Sequence, residues 1–165
     1  MQLRAFYEKW REIILYLAFG VLTTVVGLGT YSLCFVLAEK VFCLDLADKT
    51  SALYLAVYTT AQVVQWLAAI LFSFVTNRKW VFEGAQEGSV FRQLIVFAGG
   101  RVATLGLDVV LTYVGVIALT ALLSGDVLNL YFIQLSAELV AKLVASVAVV
   151  IANYFISKWF VFKKK

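Results

Sequence analysis

Hydrophobic residues along this chain fall into four long runs separated by short polar connections. The runs cover 13–38, 52–75, 94–123 and 128–156. Each run reaches the roughly 20 apolar residues that a helix needs to cross a bilayer. Barrel strands would instead alternate apolar and polar positions over about 10 residues. Because lipid offers the backbone no hydrogen bonds, runs of this length form helices. The pattern predicts an all-α membrane protein with four transmembrane helices in a single domain, 1–165.

Composition narrows the class of protein further. Hydrophobic residues make up 63% of the chain, and the mean hydropathy is +0.93. The connections between the runs, of which 39–51 and 76–93 are the longer two, are too short for a soluble domain or a nucleotide-binding loop. The chain contains no histidine and no metal-ligand spacing, so we expect no metal and no other cofactor. An enzyme is the least favoured class, because no nucleophile and base are paired.

The distribution of lysine and arginine predicts the orientation in the membrane. Ten basic residues fall on one predicted side: Arg4, Lys9, Arg11, Arg78, Lys79, Arg92, Lys158, Lys163, Lys164 and Lys165. The other side carries only Lys40 and Lys49, together with Glu39, Asp45, Asp48 and Asp126. Since cytoplasmic loops are enriched in lysine and arginine, both termini are predicted to be cytoplasmic. The net charge of +4 therefore indicates the membrane topology and contact with anionic lipid head groups, rather than binding to nucleic acid.

The two halves of the chain resemble each other. FSFVTNRKWVF at 72–82 aligns with ANYFISKWFVF at 152–162, at an offset of 80 residues. The halves, 13–82 and 93–162, each contain two predicted spans and therefore share one orientation. The sequence predicts two parallel two-helix repeats related by an axis along the membrane normal, an arrangement known in transporters.

These two segments carry a resemblance to the GtrA family of GtrA-like and GtcA-like membrane proteins. The family pattern has four spans, with an Asn/Ser–aromatic–x–x–Asn/Ser–Arg–x–Trp/Phe–Val–Phe motif closing the second and fourth. The resemblance covers roughly 13–162, although Lys158 and the Trp159–Phe160 order depart from the Arg–x–Trp form. It implies a bacterial inner-membrane protein of surface polysaccharide glycosylation. Such proteins are proposed to move undecaprenyl-phosphate-linked monosaccharides across the membrane, often beside a polyprenyl-phosphate glycosyltransferase.

Ionisable residues inside the predicted spans are functional candidates, because their burial in lipid is costly. All four lie in the second half: Arg101, Asp108, Glu138 and Lys142. The residues at the corresponding positions of the first half are Val21, Leu28, Tyr58 and Gln62. This asymmetry indicates a site built mainly by the third and fourth spans.

Helical spacing predicts how these residues group. At 100° per residue, Arg101, Thr104 and Asp108 share one face of the third span. Further candidates for a polar interior are Glu138, Ser146, Asn153, Gln62 and Asn77. Candidate phosphate ligands are Arg101, Lys142, Arg78 and Lys158. The depths of Asp108 and Lys142 in their spans favour a buried pair between them. Glu138 lies four residues before Lys142 on the same helix and is a second possible partner. The alternative is a structural ion-pair network with Arg78 and Lys158 as topology anchors.

Three functions remain open on the sequence. A flippase for polyprenyl-phosphate-linked sugars needs a polar interior for phosphate and sugar. A scaffold that recruits a glycosyltransferase needs only an interface, and leaves the intramembrane charges unexplained. A small multidrug-type exporter would carry a glutamate inside its first span. The first span of this chain has no acidic residue between Glu12 and Glu39. The flippase is favoured. A homo-oligomer is compatible with it, because four helices enclose little volume.

Overall fold

The computed structural model describes residues 2–42, 49–82, 88–123, 127–130 and 133–162. The main helices of these regions are Gln2–Phe42 (α1), Ala52–Thr76 (α2), Val90–Leu123 (α3) and Ala137–Ile156 (α4). Within the described residues, four helices are long and apolar enough to cross a membrane. The predicted four-span helical membrane fold is confirmed. The chain divides into two compact units, Met1–Gln86 and Glu87–Lys165, each containing one pair of these helices.

In the first unit, α1 and α2 pack along their length. Ser51 caps α2 by accepting a hydrogen bond from the Tyr54 backbone N–H at 3.1 Å. The helices approach closely where an ideal Cβ at Gly27 would lie 3.8 Å from the Ala69 Cβ. At the other end of α2, Phe19 stacks on Trp80 with ring centroids 5.4 Å apart. Small residues and ring contacts therefore align this pair, as expected where lipid provides no hydrophobic drive between helices.

In the second unit, α3 packs against α4 through two glycines. An ideal Cβ at Gly100 would lie 2.7 Å from Ile156 Cγ2, and one at Gly115 would lie 3.1 Å from the Ala141 Cβ. A Cβ at Gly100 would displace Ile156, and one at Gly115 would make Ala141 give way by a few tenths of an ångström. The glycines therefore set the approach of the two helices at both ends of their contact.

Each unit ends in a short π-helical turn that the sequence did not predict. The turns are Asn77–Val81 and Ser157–Val161, and they lie in the two aligned segments at the 80-residue offset. The Phe82 N–H donates to the Asn77 carbonyl at 3.0 Å, and the Phe162 N–H to the Ser157 carbonyl at 2.9 Å. Such i→i+5 bonds are rare and often occur at functional sites. The internal repeat and the axis relating its halves stay predictions.

The fourth span is shorter than predicted. Val127–Leu130 (β1) and Ile133–Ser136 (β2) pair antiparallel, so α4 begins only at Ala137. The predicted run 128–156 was wrong over its first nine residues, and two short strands join the helical fold. Hydropathy alone does not separate a strand from a helix in so short an apolar run. The register places Asn129 opposite Gln134. These two polar residues are not evident from the hydropathy averaged over the whole run.

Several charges used for the topology prediction lie outside the described residues: Asp45, Asp48, Asp126, Lys163, Lys164 and Lys165. The cytoplasmic placement of both termini therefore stays a prediction.

Two adjacent glycines of α3 provide a test of the helix contact. We expect Gly100→Ala to lower the free energy of unfolding by about 1–3 kcal/mol, because overpacking displaces Ile156. The matched control is Gly99→Ala, since an added Cβ there meets nothing within 4 Å. That change should stabilise the helix by about 0.5–1 kcal/mol through lost backbone freedom in the unfolded state. Denaturation in detergent micelles measures both, and equal changes would contradict the contact.

Candidate functional site

Two of the predicted intramembrane charges meet in the second unit. The Lys142 ammonium on α4 donates to Asp108 Oδ2 on α3 and forms a salt bridge with it. The predicted pair is confirmed, and its burial within the assembled protein stays a prediction. The exposed fraction is 51% for the Lys142 side chain and 21% for that of Asp108. The pair faces outward from the two-helix contact, because Ala141 and Ala145 occupy that contact instead. The α3–α4 contact therefore does not enclose its charges.

Arg101 lies on the same face of α3, nearer the start of the helix, and is supported by a buried ring. Its Cζ lies 5.1 Å from the centroid of Phe97, which is only 2% exposed. Phe97 in turn contacts Phe162, with ring centroids 6.0 Å apart. The π-turn thus fixes Phe162, Phe162 packs on Phe97, and Phe97 holds the guanidinium by a cation–π contact. Sequence reasoning missed Phe97, although its spacing of four residues from Arg101 was a usable signal.

A buried hydrogen bond links the helices between these two charged positions. Thr104 Oγ1 donates to Asn153 Oδ1 at 2.9 Å, and the residues are 3% and 6% exposed. Both were predicted as polar-interior residues, and the structure brings them together. Because a buried polar group without a partner is costly, this bond fixes the register of α3 against α4. It therefore holds Arg101 and Asp108 at defined depths.

The polar side chains of Glu138 and Ser146 are accounted for by their own helix, α4, without a ligand. Glu138 is the second residue of α4 and lies in its first turn, not deep within the span as predicted. A carboxylate there is stabilised by the positive end of the helix dipole. Ser146 Oγ donates to the Lys142 carbonyl on its own helix at 2.8 Å. Lys142 is correspondingly one turn from the start of α4 rather than near the middle, because the hairpin shortens the span.

The predicted phosphate ligands Arg78 and Lys158 occupy equivalent positions, each the second residue of its π-turn. Lys158 Nζ donates to the Tyr154 hydroxyl at 3.1 Å. Arg78 is half-buried and is followed by Lys79, whose Nζ lies 4.9 Å from the centroid of Trp80. Cations and aromatic rings at the ends of spans are typical of membrane interfaces.

In the first unit, Asn77 is a buried polar residue at the start of the π-turn. It is 2% exposed, and its Nδ2 donates to Ser73 Oγ at 3.2 Å. Its Oδ1 has no hydrogen-bond partner among the described residues. In the aligned segment of the second unit, Asn153 and Ser157 reverse this order, and there the asparagine reaches the neighbouring helix. The two units thus use the same residue types for different contacts.

Gln62 belongs to a hydrogen-bonded ladder on α2. Its Nε2 donates to the Tyr58 hydroxyl at 3.1 Å, and its Oε1 accepts from Gln65. Tyr58 meets Tyr31 of α1 edge to face, with ring centroids 6.4 Å apart. Sequence reasoning singled out Gln62 but not its partners. The signal for Tyr58 was its spacing of four residues from Gln62.

Four helices of membrane-spanning length among the described residues define a multi-pass membrane protein. The family model for the GtrA/DPMS transmembrane domain matches residues 15–162. The chain belongs to this family, as its two aligned segments predicted. It is a multi-pass bacterial membrane protein.

Similar proteins are found in Bacillus and Listeria. The chain is 28% identical over 152 residues to the uncharacterized membrane protein YwcD of Bacillus subtilis (strain 168), covering 91% of this chain and 95% of that protein. It is 29% identical over 160 residues to the cell wall teichoic acid glycosylation protein GtcA of Listeria monocytogenes serovar 1/2a, covering 96% and 89%. The identity to GtcA of Listeria innocua is 30% over 158 residues, covering 94% and 88%. No solved structure matches the chain.

Proposed function

We propose that this protein translocates a polyprenyl-phosphate-linked monosaccharide across the membrane for glycosylation of a surface polysaccharide. A membrane glycosyltransferase would supply the lipid-linked sugar, and the protein itself would make or break no covalent bond. Similar proteins named for teichoic acid glycosylation support the general role. The polyprenyl tail has to stay in the hydrocarbon of the membrane while its head group moves. The site therefore has to be open to the membrane lipids on one side.

The observation that carries the proposal is the depth order of polar groups on one face of α3. Arg101 comes first, and Asp108 with its partner Lys142 lies beyond, while the buried Thr104 between them keeps α3 in register with α4 through Asn153. Arg101 and Asp108 are seven residues apart, which corresponds to about 10 Å along the helix. A phosphate moving along this face passes from a guanidinium towards an ammonium without crossing a long apolar stretch.

The chemistry of the two cations suits successive steps of such a movement. The guanidinium presents a planar fork that matches phosphate oxygens, and the Phe97 ring beneath it limits its orientation. The Lys142 ammonium is already paired with Asp108, so a phosphate there competes with a carboxylate. Competition of this kind weakens retention, and a carrier has to release its cargo as well as bind it.

The orientation predicted from the charges assigns the two ends of this path. With both termini cytoplasmic, α3 runs from the cytoplasm outward. Arg101 then receives the phosphate from the cytoplasmic leaflet, and the Asp108–Lys142 pair lies on the way to the outer leaflet. An oligomer is compatible with this path but is not needed for it.

Reconstitution tests the proposed function. Purified protein is placed in liposomes that carry undecaprenyl-phosphate glucose in both leaflets, and a membrane-impermeant oxidant is added outside. In protein-free liposomes about half of the sugar should stay protected, because the inner leaflet is shielded. We expect the protein to expose that protected half to oxidation.

Protection that persists despite correctly folded protein would contradict the flippase. If the same protein then binds a polyprenyl-phosphate glycosyltransferase in detergent, the scaffold becomes the better function. Liposomes loaded with an impermeant dye serve as the leak control, because sugar exposure counts only while the dye is retained.

A further inference from the structure

The hydroxyl group of Thr112 on α3 is buried without a hydrogen-bond partner. Among the described residues, no group donates a hydrogen bond to Thr112 Oγ1 or accepts one from it. Other threonines of the membrane helices, such as Thr30, Thr59 and Thr76, donate to a carbonyl group four residues earlier on their own helix. Because a buried polar group without a partner is costly, the exception at Thr112 needs a physical reason.

Thr112 lies between two contacts of α3 with α4. Four residues before it, Asp108 forms the salt bridge with Lys142. Three residues after it, an ideal Cβ at Gly115 would lie 3.1 Å from the Ala141 Cβ. All five residues belong to α3 and α4, so they form one site within the second unit.

Helical geometry places the Thr112 side chain beside the Asp108 carboxylate. Residues four apart lie on one face of a helix, and their Cβ atoms are about 5–6 Å apart. The Cα–Cβ bonds of a helix tilt towards its N-terminus, so the Thr112 side chain leans towards the turn that carries Asp108. Among the described residues, Lys142 bonds to Oδ2 of this carboxylate, and no group bonds to Oδ1. Oδ1 is therefore available to accept a hydrogen bond from the Thr112 hydroxyl.

The proposed translocation creates a state in which Asp108 loses its partner. When the lipid phosphate reaches Lys142, the ammonium has to turn from the carboxylate to the phosphate. The carboxylate then stays behind inside the span, where a lone charge is costly. A hydroxyl that donates to a carboxylate forms one of the stronger hydrogen bonds in proteins, because the acceptor is charged. Such a donor lowers the free energy of this state and makes the exchange of partners by Lys142 faster.

We propose that Thr112 is a positioning residue that holds the Asp108 carboxylate while Lys142 binds the lipid phosphate. The proposal rests on the proposed function, because that substrate supplies the phosphate that separates Lys142 from Asp108. In the state that the structure shows, Lys142 bonds to the carboxylate and the Thr112 hydroxyl is unpaired. When the phosphate leaves, Lys142 returns to Asp108 and the hydroxyl is released. Thr112 itself contacts neither the phosphate nor the sugar.

The thermal stability of the lipid-free protein in detergent tests the contact between Thr112 and Asp108 without transport. In the wild-type background, Thr112→Val should raise the melting temperature by about 2–4 °C, because it removes an unpaired buried hydroxyl. Lys142→Met removes the ammonium and leaves the carboxylate to Thr112. In that background, Thr112→Val should lower the melting temperature by roughly 3–6 °C, because the lone carboxylate loses its hydrogen bond. The effect of one substitution thus reverses sign when Lys142 is removed.

Translocation of undecaprenyl-phosphate glucose in liposomes tests the role of Thr112 in transport. Thr112→Val should slow exposure of the inner-leaflet sugar at least about tenfold, since the state with Lys142 on the phosphate loses a hydrogen bond to a charged group. Thr112→Ser keeps the hydroxyl and should move lipid at close to the wild-type rate. The matched control is Thr30→Val, because the Thr30 hydroxyl already donates to the Val26 carbonyl at 2.8 Å. It should leave the rate unchanged and shift the melting temperature equally in both backgrounds.

The outcomes separate this proposal from the one it rests on. An equal shift of the melting temperature by Thr112→Val in both backgrounds would overturn the contact with Asp108. A wild-type rate in Thr112→Val, or an equal loss of rate in Thr112→Ser, would overturn the role in transport while the flippase function stands. Should Lys142→Met not fold, these two rates decide. If the sign reverses but the wild type moves no lipid, the proposed function fails, and with it the exchange of partners, while the contact stands.

Discussion

Arg101→Ala is expected to bind polyprenyl phosphate about 10–100-fold more weakly than the wild type, since hydrogen bonds to charged groups contribute about 1.5–3 kcal/mol. The protein should still fold, because Phe97, on which the guanidinium rests, stays packed against Phe162. Surface glycosylation should be nearly abolished in cells that depend on this chain. Native mass spectrometry with undecaprenyl phosphate measures the binding, and lectin staining measures the glycosylation.

Two further variants show whether charge or geometry matters at this position. Arg101→Lys keeps the charge but loses the planar fork, so it should bind with intermediate strength. Arg92→Ala removes the same charge from α3 nine residues earlier, on the opposite side of the helix at 100° per residue. It should leave binding unchanged. A well-expressed Arg101→Ala protein with normal lipid binding and normal glycosylation would remove Arg101 from the site.

The Asp108–Lys142 pair is expected to respond unequally to loss of its two partners. Lys142→Gln leaves the Asp108 carboxylate alone near the middle of α3, at a cost of about 2.5–3.5 kcal/mol for a charge at the centre of a span. Asp108→Asn leaves the Lys142 ammonium alone at the same depth, because the two groups are in contact. Its long side chain can extend to the interface, so this loss should be less than about half as large.

The double variant Asp108→Asn/Lys142→Gln should be close to wild type in folded yield and thermal stability, since no unpaired charge remains. A double variant as unstable as the sum of its singles would contradict the pair. Glu138→Gln is the matched control: it removes the other carboxylate within four residues of Lys142. Because Glu138 lies in the first turn of α4, we expect a change of about 0.5 kcal/mol at most.

The intramembrane charges show how far sequence reasoning reached into the site. Periodicity placed Arg101, Thr104 and Asp108 on one face, because residues along a helix follow a fixed angle. Depth then predicted the contact of Asp108 with Lys142, which the structure shows. The depth of Glu138 was wrong because its span was counted from the hydrophobic run. Only the pairing of β1 with β2 shows where α4 begins.

The partners of Gln62 and the ring beneath Arg101 show what the sequence analysis missed. Tyrosine at a membrane interface is common, so the four-residue spacing of Tyr58 from Gln62 did not separate it from other tyrosines until its ring met that of Tyr31 across α1 and α2. Phe97 reads as one more lipid-facing residue in a hydrophobic run. Its burial beneath Arg101 depends on the contact with Phe162, which lies 65 residues later in the chain.

The sequence by itself determined the membrane class, the four helical spans, the family and the asymmetry of charge between the two halves. These follow from local quantities, namely hydrophobic length, helical period and the alignment of the chain with itself. Only the tertiary structure decided the start of α4, the two π-turns, the glycine contacts of α3 and the partners of the polar side chains. These features depend on which helix faces pack against each other. In lipid any apolar face can stay exposed, so hydrophobicity does not select the packed face. The fit of small residues and the hydrogen bonds between helices select it instead.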